Sequence, residues 1–262
     1  MIETYRLPRA TRGGPGPEMP RHAVPVTVTV VVPARNEERN VGWVLERMPD
    51  LVDEVVLVDG HSTDGTVEAA LAVRPDCVVV TDGSRGKGEA MRTGAAAAHG
   101  ALIVMIDADG SMDPAEIPAY VEPLAAGYEF VKGSRFAPGG DTLDMTAFRH
   151  LGHTVLLRMA NLLFGSRWTD LCYGYCAFRR SALEELELDA DGFEIETQMV
   201  VRATRRGLRI AEVPSVELPR RFGNSQLNTI RDGFRVLGTM VRERLIPVPA
   251  VRRPARRGVR RA

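Results

Sequence analysis

Two hydrophobic periods alternate along this chain. Residues 26–32 (VTVTVVV) form an almost unbroken β-branched run, the pattern of a strand buried on both faces. Residues 38–48 then carry Val41, Val44, Leu45 and Met48 at helical spacing. The exchange repeats: strand over 54–58, helix over 64–73, strand over 77–81, an Ala-rich helix over 88–99 and a strand over 101–106. A helix over 114–126 follows, with Pro114 in its first turn, then a short strand over 130–132. Such a βαβαβαβ series predicts an α/β fold: a mostly parallel, doubly wound sheet with helices on both faces.

Beyond residue 136 the rhythm loosens. A Gly-rich loop occupies 137–144, and helical stretches are expected near 150–164, 180–187 and 194–206. Two short strands, 209–213 and 215–218, precede a helix over 227–245. This half is expected to complete the sheet and to build an acceptor side over the same rim. Residues 1–25 are rich in Arg, Pro and Gly and lack periodicity, which predicts a disordered leader. The expected organisation is a leader (1–25), a catalytic domain (26–226, with a donor half 26–135 and an acceptor half 136–226), and an amphipathic helix with a basic tail (227–262).

The composition, 262 residues with 44% apolar and 26% charged, is that of an ordinary globular chain, and the net charge of zero argues against nucleic acid as a partner. Cys77, Cys172 and Cys176 are too few for a disulfide framework, and no second Cys/His pair stands at zinc spacing. No early apolar segment resembles a signal peptide, and no uncharged run reaches the ~20 residues of a membrane span. A cytoplasmic protein is expected. Local charge modifies that picture. The tail VRRPARRGVRRA contains six arginines and no acid. In the helix before it, Ile230, Phe234, Leu237, Val241 and Leu245 fall on one stripe flanked by Arg231, Arg235, Arg242 and Arg244. The plainer expectation is that this stripe packs on the core. The other is peripheral contact with anionic lipid at the inner face of the membrane, with the tail assisting.

In doubly wound sheets ligands sit beyond the C-terminal ends of the strands. Asp59, Asp82, Asp107 and Asp109 all fall at or just past strand ends, on one rim. In VMIDADGSMDP, Asp107 and Asp109 are one residue apart, and like charges so close raise each other's pKa. A divalent cation such as Mg²⁺ or Mn²⁺ removes that cost; helix capping or a solvated turn also fits. In PARNEERN, Asn36 and Glu37 suit a base or ribose, or a helix start. Asp59, in VDGHSTDGT, offers an acceptor ahead of a helix capped around Ser62 to Asp64. GSRGKGEAMRTG is not a Walker loop, yet Arg85 and glycine-flanked Lys87 at a helix start suit a phosphate, or simply a turn. Arg135 in VKGSRF, and Arg220 and Arg221 in LPRRFGNSQL, have the guanidinium fork that phosphate favours. Asp170, Glu194 and Glu196 stand beside aromatics and could orient an acceptor or act as a base.

Taken in order, PxxNE, VDG-STDGT, GKG, DAD, GSR, TDLxxGY and R-xx-G-x-S resemble family 2 glycosyltransferases of the GT-A fold, in particular the polyprenyl (dolichyl) phosphate mannosyltransferase-like branch. The resemblance spans about 26–227. It implies a nucleotide-diphosphate-sugar donor such as GDP-mannose or a UDP-sugar, a divalent metal, and inverting transfer of a hexose, with polyprenyl phosphate as acceptor. It also implies that Pro33, Asn36, Glu37 and Asp59 hold the nucleoside and that Asp107 and Asp109 hold the metal. Lys87 and Arg220 would lie near donor phosphates and Arg135 near the acceptor phosphate, with Asp170 and Tyr175 lining the sugar or acceptor pocket. Asp170, Asp109 and Arg135 are then the expected catalytic residues. A lipid phosphate would need no general base; a hydroxyl acceptor would need one, from Asp170 or Glu194. The chain departs from relatives at Gly60, where many carry a second Asp, at Ser111, where a Gln is common, and at Gln226, where a Lys often follows the Ser. Two other readings are a sugar-1-phosphate nucleotidyltransferase, whose Gly-rich Arg loop PARNEERN lacks, and a nucleotide-sugar-binding module without turnover.

Overall fold

The computed structural model describes residues 2–4 and 26–247. In chain order the elements are β1 Ile2–Thr4, β2 Val28–Ala34, α1 Glu38–Glu46, β3 Glu54–Asp59, α2 Thr66–Val73, β4 Val78–Thr81, α3 Lys87–Ala97, β5 Leu102–Met105, α4 Ile117–Ala125 and β6 Phe130–Ser134. There follow β7 Asp141–Thr142, α5 Ala147–Phe164, β8 Cys176–Arg179, α6 Arg180–Glu185, α7 Ile195–Arg205, β9 Ile210–Pro214, β10 Val216–Glu217 and α8 Thr229–Leu245. Eight strands form one sheet in the order β1-β9-β6-β8-β5-β2-β3-β4. Every pairing in it is parallel except those of β8, which runs antiparallel between β5 and β6. The expected mostly parallel α/β sheet is therefore present.

The β-branched runs build this sheet because both of its faces are covered. Val30, Val32, Val55, Leu57, Leu102 and Val104 point into a core shared with α1, α2 and α4. Their neighbours Val31, Val56, Val58, Ile103 and Met105 point the other way, into a core shared with α3, α5, α6, α7 and α8. Alternate residues of one strand thus serve two cores. Fully burying a Val or Leu side chain contributes ~1.5–3 kcal/mol, so register is firmly set: a one-residue slip would exchange the two sets.

That register aligns the strand ends. Ala34 pairs with Asp59 and Asp59 with Thr81, while Val31 pairs with Met105 and Ser134 with Pro214. The segments following β2, β3, β4, β5, β6 and β9 consequently emerge on one rim.

Three differences from the sequence reading stand out. Ile2–Thr4, within the expected disordered leader, pairs in parallel with Ile210–Glu212 of β9; the edge of β9 offers unpaired backbone groups to any extended segment. The rest of that leader lies outside the described residues, as does the basic tail. Strand β8 was not anticipated at all. Finally, α8, placed outside the catalytic domain by the sequence reading, packs against α5 and α7 and buries Val236 and Met240 in the second core.

Candidate active site

The β2–α1, β3–α2 and β4–α3 turns each contain a non-glycine residue with positive φ: Asn36 at 57°, His61 at 58° and Ser84 at 62°. Such backbone is uncommon outside glycine and persists where the surroundings enforce it, often at functional sites. Side chains here lace the turns together. Asn36 N–H donates to Ser62 Oγ (2.9 Å), and Asn36 Oδ1 accepts from Thr63 N–H (2.8 Å). Glu37 N–H donates to Thr66 Oγ1 (2.8 Å), and both oxygens of Asp59 lie 3.2–3.3 Å from Ser62 N. Asn36 and Asp59 therefore reach the expected rim but are engaged in shaping the turns. At the start of α2 it is Asp64, within the expected capping segment, that accepts from Thr66 N–H (3.1 Å), while Ser62 accepts from Asn36 N–H instead. Pro33 lies within β2 opposite Val58, one residue short of the strand end.

The glycine-rich turn before α3 departs from the phosphate-loop expectation. Gly88 N–H donates to Asp191 O at 2.8 Å, with Glu89 N–H reaching the same oxygen at 3.3 Å. The first donors of α3 thus meet a carbonyl. A Cβ on Gly88 would sit 2.3 Å from Ala190 O, so glycine is required by this backbone contact. Arg85 forms bonds of 2.6–2.8 Å with Glu89. Only Lys87 leaves the turn for the rim. Its Nζ lies 2.8 Å from Asp107 Oδ2 and 2.9 Å from Glu196 Oε1.

Asp109 is held by a second cation. Arg220 donates from one amine to Asp109 Oδ2 (3.1 Å) and from the other to Glu37 Oε1. Ser111 donates to Asp109 Oδ1 from both its N–H and its hydroxyl (2.9 and 2.7 Å). Asn40 donates to Glu37 Oε2 at 2.6 Å. The segment bearing Arg220 is fixed over the rim by Leu218 N–H to Ser111 O (2.8 Å), by Arg221 stacked 4.6 Å from the Trp43 ring and by Arg39 stacked 4.0 Å from Phe222. Asp107, Asp109, Glu37, Lys87 and Arg220 are thus one constellation. Glu196 and Gly174 complete it: a Cβ at Gly174 would lie 2.7 Å from Lys87 Nζ. Glu196, expected to orient an acceptor or act as a base, pairs instead with Lys87 across 109 residues, which no spacing in the sequence signals.

Electrostatics set this group apart. Burial pushes the Asp107 carboxyl up to about 6, with the charges of Asp109 and Glu196 adding to the rise and Lys87 opposing it. Burial likewise raises Glu37, against its bonds from Asn40 and Arg220. Lys87 goes the other way: burial alone would lower it, but Asp107 and Glu196 hold its proton. Among the described residues no three His, Cys, Asp or Glu side chains gather into a preformed metal cage. Two neighbouring hard carboxylates, that of Asp107 raised by burial, still fit a divalent cation whose remaining ligands are phosphate oxygens and water.

Arg135 and Asp170 meet, but not as open catalytic groups. Arg135 Nε lies 2.7 Å from Asp170 Oδ2 and its amines bond Asp170 Oδ1 (3.0 Å) and Glu217 (3.1 Å). His153 Nε2 stands 3.0 Å from Asp170 Oδ1. Both side chains are buried. Burial would raise the Asp170 carboxyl, yet Arg135 and His153 hold it well below the usual carboxylate range, which makes it a poor proton acceptor. Asp170, expected as one of two candidate bases for a hydroxyl acceptor, and Arg135, expected near the acceptor phosphate, are thus held against each other inside the fold. Tyr175 is buried as well: it stacks on Tyr120 with ring centroids 4.1 Å apart, inside the first core, and donates to Asp113 O. Glu217 and His153, which seat this ion pair, were not among the expected site residues. Glu194 accepts from Gly192 N–H at 3.1 Å.

The sequence model of glycosyl transferase family 2 matches residues 29–187. The chain is 35% identical to glycosyltransferase AglJ of Haloferax volcanii over 80% of its own length and 69% of that protein's. It is 31% identical to the undecaprenyl-phosphate mannosyltransferase of Micrococcus luteus, over 77% and 87%. Among solved structures it resembles glucosyl-3-phosphoglycerate synthase from Mycobacterium tuberculosis in complex with Mn²⁺, uridine diphosphate and glucosyl-3-phosphoglycerate. The TM-score is 0.63 and the identity 29%, covering 84% of this chain and 81% of that one.

Proposed function

The chain belongs to glycosyl transferase family 2 and is a glycosyltransferase with the GT-A fold, and from that premise we propose that it transfers a hexose from a nucleotide-diphosphate sugar to polyprenyl phosphate with inversion. The observation that carries this reading is the rim constellation, in which Asp107 and Asp109 are each neutralised by an internal cation, Lys87 and Arg220. Asp107 and Asp109 would hold a divalent cation, which when bound supplies positive charge to the departing diphosphate. Arg220 exchanges Asp109 and Glu37 for a donor phosphate, and Lys87 keeps a positive charge facing the same oxygens. Pro33, Asn36, Glu37 and Asp59 shape the nucleoside side of the rim.

The burial of Asp170 supports a lipid-phosphate acceptor. A hydroxyl acceptor needs a base to take its proton; of the two carboxylates expected for that work, Asp170 is locked in an ion pair and Glu194 is engaged by Gly192 N–H. A phosphate monoester is already anionic and attacks without one. Support comes too from relatives whose names specify undecaprenyl-phosphate or dolichyl-phosphate transfer. The Arg135–Asp170 pair then acts as a rigid wall beneath the acceptor side.

Thermal-shift measurements test the donor half. Stabilisation by GDP, GDP-mannose, UDP or a UDP-sugar is expected for one base only, and only with Mn²⁺ or Mg²⁺, reaching ~2.7 kcal/mol at a hundredfold excess over the dissociation constant. Equal stabilisation in EDTA would remove the metal from this account.

A further inference from the structure

Helices α5 and α8 pack side by side on the outside of the second core, and both turn large apolar side chains to solvent. On α5 these are Phe148, Leu151, Val155 and Leu162; on α8 they are Ile230, Phe234, Val241 and Leu245. Leu162 is 85% and Leu245 77% exposed, and the other six lie between 49% and 70%. The spacing within each set keeps it on one face of its helix. The stripe that the sequence reading assigned to the core is therefore largely outside. Helix α8 reaches the core instead with Val236 and Met240, and it buries both of its acids, Asp232 and Glu243. Glu243 is bonded by Gln198 and Arg202 (3.0 and 2.9 Å), and Asp232 by Asn228 N–H and Arg231 (2.8 and 3.1 Å). An amphipathic helix on a water-facing surface has the opposite arrangement.

The exposed charges on the two helices themselves have one sign. Helix α5 contains no acid, and the exposed charged residues of the pair are Arg158, Arg231, Arg235, Arg242 and Arg244, of which Arg231 and Arg235 pair with the buried Asp232 and Arg242 with Asp189 beyond the helix. The surface also continues toward the acceptor side of the site. Near the N-terminal end of α5, His150 and His153 stack on Phe136 (5.2 and 4.9 Å), the residue after Arg135, and His153 contacts Asp170.

We infer that the α5–α8 face is a docking surface for an anionic lipid bilayer: the apolar stripes enter the headgroup boundary and the arginines meet lipid phosphates. Eight such side chains on two helices packed together go beyond the scattered apolar residues normal on a surface. A second copy of the chain is the poorer occupant, since a two-fold contact would set this arginine-bearing face against itself. The proposal deepens the lipid-phosphate reading and rests on it for its purpose: α5 would bring the membrane plane next to the Arg135–Asp170 wall, where a polyprenyl phosphate must present its headgroup.

The test is co-sedimentation of the full chain with vesicles of phosphatidylcholine mixed with phosphatidylglycerol, and of phosphatidylcholine alone. The unsubstituted chain should pellet with the mixed vesicles and far less with phosphatidylcholine. The quadruple variant L151Q/L162Q/F234Q/L245Q, altered only at exposed positions, should lose at least ~10-fold in vesicle affinity, given the dependence on buried apolar area. Its melting temperature and its nucleotide-dependent stabilisation should be unchanged. Failure of the unsubstituted chain to pellet would overturn the proposal, as would equal pelleting of the variant. So would a dimer in solution that the variant converts to monomer without any vesicle binding. Assaying transfer to polyprenyl phosphate in detergent separates the two readings. Product without vesicle binding sinks only the docking face; vesicle binding without product sinks the acceptor.

Discussion

Asp109→Asn is expected to lower metal-dependent donor affinity and turnover by more than ~100-fold, because loss of even an outer partner of a metal ligand costs 10–100-fold. Asp109 is the carboxylate that Arg220 and Ser111 orient from opposite oxygens, so the substitution keeps the shape of the turn and removes its charge. Arg220 retains Glu37 as a partner, and the fold is expected to survive. Isothermal titration with the preferred nucleotide and Mn²⁺ checks the affinity, and circular dichroism the fold. Unchanged affinity in a folded variant would mean that Asp109 does not hold the cation.

The second large effect is on stability. Asp170→Asn leaves the Arg135 guanidinium buried with only Glu217 to balance it, and breaking a buried pair by removing one partner costs ~3–5 kcal/mol. For a domain of this size the melting temperature should fall by ~2–4 °C per kcal/mol. The sign with pH is fixed by the direction of the shift. The Asp170 carboxyl is held below its ordinary value of 3.8 in the folded chain. Its stabilising contribution is therefore complete above that value and disappears as pH falls below it. The gap between the unsubstituted chain and Asp170→Asn should accordingly narrow on acidification below about 4. The double variant R135M/D170L should recover part of the loss, because it removes the buried guanidinium together with its partner and leaves only Glu217, which keeps its bond from Thr142. Scanning calorimetry over a pH series measures all of this. A variant that lost turnover while keeping its melting temperature would instead restore Asp170 as an open catalytic group.

What the sequence could reveal followed from local patterns. The runs at 28–34 and 54–59 are β-branched along both faces, which only a sheet with two covered faces explains. Strand ends then located Asp59, Asp82, Asp107 and Asp109 on one rim without any knowledge of their contacts. Strand β8 escaped because CAFR has neither β-branching nor alternation, and its place between β5 and β6 depends on pairings far along the chain. The period of α8 was legible but not its orientation: its inward face is decided by arginines and amides on other elements that satisfy Glu243. In the same way, Asp170 looks like an available carboxylate until Arg135, 35 residues away, and His153 close around it. Periodicity reports burial of apolar residues; it is silent on which charges will find each other.

The most direct measurement is product formation by the purified full chain. It would be incubated with polyprenyl phosphate and, in turn, GDP-mannose, UDP-glucose and UDP-N-acetylglucosamine, with Mn²⁺ or with EDTA, and the lipids analysed by mass spectrometry. The account predicts a glycosyl-phosphoryl-polyprenol from donors of one base, absent in EDTA and absent with Asp109→Asn. Equal product in EDTA, or intact polyprenyl phosphate beside a donor consumed by a hydroxyl acceptor, would contradict it.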